Sequence, residues 1–142
     1  MESKKHHSLV KIIYDYVIEN EKVEKSLIQS DIFEIDGNVT RMPEGFVPDL
    51  YYKYGNMIII GEAKTDSDLD REHSIMQFKS YINYMKNYNS SKYDCVFIIA
   101  VPWEASIAAP RIIKKIIGAE NINLIVLNES GVFRKYEKNY IK

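Results

Sequence analysis

At 142 residues, 46% hydrophobic and 27% charged, the chain is long enough for one core-bearing domain and too short for two. A formal net charge of −1 and a pI near 6.3 exclude a protein that grips nucleic acid by bulk positive charge, so a basic patch, a metal or a partner must supply any such affinity. The single cysteine, Cys95, excludes an intrachain disulfide, and no apolar run approaches the roughly 18 residues of a membrane span.

Residues 1–7 lack the apolar stretch of a signal peptide, so a cytoplasmic location is expected, with no membrane partner. From residue 8 to about 29, Leu9, Ile12, Ile13, Tyr16, Val23 and Leu27 recur at helical spacings and form one apolar stripe, with Asn20-Glu21 as a candidate break. Residues 31–38 read as a short strand or loop, followed by the turn Met42-Pro43-Glu44-Gly45. Two strands are predicted over 46–54 and 57–64, joined by Gly55-Asn56. Glycine at the head of a two-residue link accepts the positive φ of a hairpin turn.

A second helix is predicted over about 72–87, with Ile75, Phe78, Ile82 and Met85 as its stripe. Residues 93–101 read as a buried strand that takes in Cys95 as a small hydrophobe. Pro110 opens a third helix that Gly118 closes, and residues 122–127 form another buried strand. The charged tail from residue 133 carries no assigned element. Hairpin strands combined with crossover helices imply an α/β domain, a mixed sheet with helices on both faces.

The hairpin makes a geometric prediction. A turn at Gly55-Asn56 pairs Tyr54 with Met57, and counting back along both strands sets Asp49 opposite Glu62, with Cβ atoms roughly 5 Å apart. Lys64 lies two residues beyond Glu62 and projects to the same face. Two facing carboxylates repel unless a cation compensates them, and their oxygens, with a backbone carbonyl and waters, suit Mg²⁺ or Mn²⁺. A charged cluster at a hairpin end is the plainer reading of the same residues.

Pro48-Asp49, the apolar strand Met57-Ile58-Ile59-Ile60 and then Gly61-Glu62-Ala63-Lys64 resemble the signature of the PD-(D/E)XK nuclease superfamily. The resemblance implies a restriction-endonuclease-like core of helix, three-stranded meander, helix and strand over 1–142, here with an added helix and strand. It implies metal binding by Asp49, Glu62 and the Ala63 carbonyl, and hydrolysis served by Lys64. Gln77 and Tyr81, four apart on the second helix, resemble the QxxxY motif of several branches, including RecB-like and phage-exonuclease-like nucleases, where these residues support the site or the substrate strand. Many relatives add an acidic residue from the first helix, for which Glu19 is the candidate, with Asp15 and Glu24 as competitors.

Other residues invite weaker readings. Asp66, Asp68 and Asp70 alternate as in a calcium loop, but an EF-hand wants glycine where Arg71 stands and glutamate where Gln77 stands, so a solvated loop is expected. His73 is expected at the surface. Gln77, Tyr81, Tyr84 and Tyr88 also fit a half-buried packing face, Arg111, Lys114 and Lys115 a solvated or phosphate-facing patch, and Trp103 a packing role before a base-stacking one. The expectation is a Mg²⁺-dependent DNA nuclease, an endonuclease core of defence, repair or recombination that is targeted by dimerisation or an accessory subunit. An RNA nuclease and a non-catalytic nucleic-acid-binding or assembly module are the alternatives.

Overall fold

The computed structural model describes residues 4–30, 39–65, 69–88 and 92–137. The first helix, α1 (Lys4–Asn20), buries Leu9, Val10, Ile13, Tyr16 and Val17. It is shorter than its apolar periodicity suggests. The Asn20 side-chain amide turns back to the Tyr16 carbonyl (3.1 Å) and the Tyr16 hydroxyl reaches Glu21 (3.3 Å), so side chains take over where the helical ladder would continue. Beyond that break Val23 is half-buried, and Leu27, in the 3₁₀ turn Lys25–Leu27, is exposed rather than part of a helical stripe.

Strand β1 (Gln29–Ser30) precedes the expected short element, whose residues 31–38 lie outside the described ones. The hairpin of β2 (Leu50–Tyr54) and β3 (Met57–Ala63) turns at Gly55, φ 60°. β2 starts four residues later than expected, because Pro48 lacks an amide for the ladder, and the Phe46 carbonyl instead closes the preceding loop onto the Met42 amide (2.8 Å). Helix α2 (Glu72–Lys86) leads to β4 (Asp94–Ala100). Next come α3 (Ala108–Ile117), β5 (Ile122–Leu127) and β6 (Phe133–Tyr136). Pro110 sits inside the first turn of α3 rather than at its head, where no amide is required of it, and Gly118 ends the helix at φ 61°.

The six strands form one open sheet in chain order. β1, β2 and β3 run antiparallel, β3, β4 and β5 parallel, and β6 closes antiparallel onto β5, so the sheet is mixed as expected. The charged tail therefore begins as an edge strand carrying Arg134 and Lys135, a composition that discourages further pairing. Helices cover both faces. Leu9, Ile13 and Val17 of α1 pack with Leu50, Ile59, Ala63 and Ile98, while Phe78, Ile82, Ile113 and Ile117 of α2 and α3 pack with Ile58, Ile60, Phe97 and Leu124. Two parallel crossovers of the same hand, added in one direction along a sheet, place both of their helices on one face. No described helix is long and apolar enough to cross a membrane.

Candidate active site

The register of the hairpin is the one the turn predicts: Tyr54 pairs with Met57 and Leu50 with Gly61, where the ladder ends, and Asp49 lies in the bend just before β2. Alternation along β3 sends Ile58, Ile60 and Glu62 toward α2, and Ile59, Gly61 and Ala63 toward α1. Ser30 of β1 donates from Oγ to the Asp49 carbonyl (2.9 Å) and fixes the backbone at the open end of the hairpin. Asp49 Oδ2 accepts the Ala63 amide (2.9 Å) and lies 3.2 Å from His6 Nε2. Asp49 Oδ1 has no hydrogen bond among the described residues.

Glu62 is 4% exposed. Tyr81 donates its hydroxyl to Glu62 Oε1 (3.0 Å), and the Lys64 ammonium stands 3.7 Å from Oε2. Lys64 also donates to Gln77 Oε1. The i, i+4 pair on α2 thus clasps both ends of the Glu62–Lys64 ion pair. Burial, and next the Asp49 charge, push the Glu62 carboxyl well above the usual carboxylate range, against the opposing pull of Lys64, the Tyr81 hydrogen bond and His6. Burial and then Glu62 raise the Tyr81 hydroxyl, so it stays protonated and keeps donating.

Asp49, Glu62, Lys64, Gln77 and Tyr81 therefore converge, and Tyr81 is fully buried in the core rather than lying beside it. Glu19 does not join them. It is exposed and lines a hollow with Glu129, Ser130 and Phe133 at the β5–β6 turn. Asp15 pairs with Lys11 (3.0 Å), and Glu24 offers only its amide, to the Tyr52 hydroxyl (2.9 Å). The residue that α1 does bring to the site is His6. It lies two helical turns before Ile13 on the same stripe, a seven-residue spacing visible in the sequence. Gly61 makes this approach possible, since a Cβ there would stand 2.8 Å from Ile13 Cγ2.

Of the remaining candidates, Asp66 and Asp68 lie outside the described residues, and Asp70 is exposed. His73 is exposed, with its ring edge-on to Phe46. Tyr84 donates to or accepts from Tyr51 (2.6 Å) and stacks with Tyr88, which makes that row a packing face below the site. Trp103 is 55% exposed rather than packed away, and Arg111, Lys114 and Lys115 are exposed on α3.

Comparison with family models, with curated proteins and with solved structures returns no match.

Among the described residues no group of three or more His, Cys, Asp or Glu side chains is placed to hold a metal ion. The side-chain donors are two carboxylates, one of them with an uncommitted oxygen at Asp49 Oδ1. That donor set is too sparse for a protein-enclosed Ca²⁺ or Zn²⁺ site. It fits Mg²⁺ or Mn²⁺, hard ions held by one or two carboxylates with a retained water shell.

Proposed function

We propose that this chain is a divalent-metal-dependent nuclease that hydrolyses DNA phosphodiester bonds, with a core organised as in the PD-(D/E)XK superfamily. The observation that carries the reading is the convergence of Asp49, which accepts the Ala63 amide (2.9 Å), and Glu62, with Lys64 3.7 Å from the second carboxylate. The succession α1, β1, β2, β3, α2 and β4, with the QxxxY pair on α2 directed at Glu62 and Lys64, supports it further.

Asp49, Glu62 and the Ala63 carbonyl would hold the cation, which when bound supplies Lewis-acid stabilisation of a phosphoryl group. Asp49 is oriented by the Ala63 amide, and Glu62 by Tyr81. Lys64, kept from folding away by Gln77, presents an ammonium that orients the attacking water and offsets charge developing on the phosphate. Burial of Glu62 excludes bulk water from one side of the site and strengthens these interactions. Its place would be as an endonuclease of defence, repair or recombination, targeted by a second copy or an accessory subunit.

The test is cleavage of single-stranded, duplex and branched DNA, and of RNA, by wild type and Lys64→Ala in Mg²⁺, Mn²⁺ or EDTA. Metal-dependent cleavage that Lys64→Ala abolishes is expected, and preferential RNA cleavage would change the substrate class. Absence of metal-dependent cleavage on every substrate sinks the reading and leaves a non-catalytic binding or assembly module.

A further inference from the structure

A second feature lies on the same face of the sheet as Glu62. α3 and the β5–β6 hairpin enclose a groove of about 530 Å³ lined by Trp103, Ile107 and Val132 together with Arg111, Lys114 and Arg134. Trp103 is 55%, Ile107 70%, Val132 60% and Phe133 45% exposed, so four exposed large apolar side chains gather here. Among the described residues no carboxylate lines the groove, although the protein as a whole is slightly acidic. Glu129 stands at the rim, where one of its oxygens accepts the Trp103 amide (3.0 Å) and ties the two loops together. Neither Arg111 nor Arg134 has an ion-pair partner among the described residues. The Lys114 ammonium is held 4.0 Å over the Tyr136 ring.

The groove is built rather than accidental. Asn128 Oδ1 accepts the amides of Ser130 (2.8 Å) and Val132 (3.2 Å), which shapes the β5–β6 turn and sets Val132 against the groove. Its place in the register matters most. Glu62 pairs with Ile99, Ile99 with Val126, and Val126 with Arg134, so the carboxylate and the guanidinium occupy one transverse row. At about 4.8 Å per strand the backbones of Glu62 and Arg134 are roughly 14 Å apart, a span that a few nucleotides bridge.

We propose that this groove binds a single-stranded segment of the nucleic acid cut at the Asp49–Glu62 site, with a base stacked on Trp103 and phosphates met by Arg111, Lys114 and Arg134. The inference rests on the nuclease reading and names the substrate form that reading leaves open. Cations without carboxylates favour a polyanion over a protein partner. An accessible indole favours a single strand over a duplex, whose base faces are hidden in the stack.

Trp103 is the only tryptophan in the chain, so fluorescence excited at the red edge of the indole band, where tyrosine does not absorb, reports on this groove alone. Titration with oligothymidylate in EDTA is expected to give saturable quenching, with a blunt duplex of equal length far less effective. Three phosphate contacts predict a log–log salt slope of about −2, at about −0.7 per contact on a single strand. The double variant Arg111→Ala, Arg134→Ala should flatten that slope to about −0.7. By anisotropy of labelled oligonucleotide, Trp103→Ala should weaken binding about tenfold and Trp103→Phe much less. These side chains are exposed, and circular dichroism checks that the variants fold.

Metal-dependent cleavage without quenching, and with wild-type affinity in all these variants, overturns the groove and leaves the nuclease reading intact. Quenching with no cleavage on any substrate removes the nuclease reading and keeps the groove as a single-strand binding surface. Quenching that follows protein concentration rather than added oligonucleotide also overturns the proposal, because the groove would then join two copies of the chain.

Discussion

Gly61 and Glu62 are neighbours on β3, yet they face opposite sides of the sheet and meet opposite conditions. On the α1 side, Gly61 leaves room for Ile13, and the surrounding buried residues are Leu9, Val17, Leu50, Ile59, Ala63 and Ile98. On the α2–α3 side, the next residue is a buried carboxylate held by Tyr81 and Lys64, above a row of tyrosines that hydrogen-bond and stack with one another. One face is built for packing and the other tolerates buried polar groups by pairing them. The period of two along a strand is what allows a single segment to serve both. Substitutions at adjacent positions should therefore separate stability from activity.

The largest effect is expected at Glu62. Glu62→Gln keeps the shape and the Tyr81 contact but removes a charge that burial disfavours, so cleavage should fall about 10²–10³-fold. Thermal melting in EDTA should be unchanged or higher, the usual separation at a site where function costs stability. Parallel melting curves and initial cleavage rates check this, and a joint fall in both would show Glu62 to be a structural residue. The converse is Gly61→Val. Its Cβ would meet Ile13 Cγ2 at 2.8 Å and Leu50 Cβ at 3.4 Å, so overpacking should cost about 1–3 kcal/mol in urea unfolding. Activity per folded molecule should suffer less, unless α1 shifts far enough to carry His6 away from Asp49.

Much of this contrast was legible in the sequence, and the part that was not has physical causes. The hairpin register followed from Gly55-Asn56 alone, because a two-residue turn leaves no freedom in pairing. α2 and β5 matched their apolar periods almost to the residue. The end of α1 was overrun because Val23 and Leu27 continue its spacing, while side-chain hydrogen bonds from Asn20 and Tyr16 terminate the helix. β6 escaped notice because its sequence, Phe133-Arg134-Lys135-Tyr136, lacks the apolar content of a buried strand and serves as an edge. For α1, family resemblance directed attention to an acidic residue, when the stripe that contains Ile13 leads back to His6.

Alkaline pH sharpens the comparison of the two faces. Burial first, and then neighbouring acidic or phenolic groups, raise the hydroxyls of Tyr81 and Tyr84 on the α2 side, and burial likewise raises Tyr51. On the α1 side burial, and next Glu21, push Tyr16 up to about 12. A tyrosine whose folded value exceeds its unfolded value, near 10, is bound to its proton more tightly in the fold. Its stabilising contribution is whole below pH 10 and is lost as pH rises above it. Urea unfolding should therefore show stability falling from about pH 10 upward, with part of the phenolate absorbance withheld until the protein unfolds. Tyr84→Phe and Tyr16→Phe should each reduce the steepness of that fall. Release of the full phenolate absorbance at pH 10 by the folded protein would contradict the burial argument.

The smallest effect is the most discriminating for α1. Glu19 is exposed beside the β5–β6 turn, whereas His6 lies 3.2 Å from Asp49, and thirteen residues of helix separate the two by roughly 20 Å. Glu19→Gln should change neither stability, by more than about 0.5 kcal/mol, nor cleavage. His6→Ala removes a contact that orients a proposed metal-holding carboxylate, and should cost about tenfold in cleavage while leaving the melting temperature nearly in place. Raising Mg²⁺ should recover part of that loss, because a poorly oriented Asp49 weakens the cation's affinity rather than the chemistry that follows. If Glu19→Gln proves the damaging change and His6→Ala the silent one, α1 must sit differently on the sheet when substrate is bound, and the close contact at Gly61 would have to open to let it move.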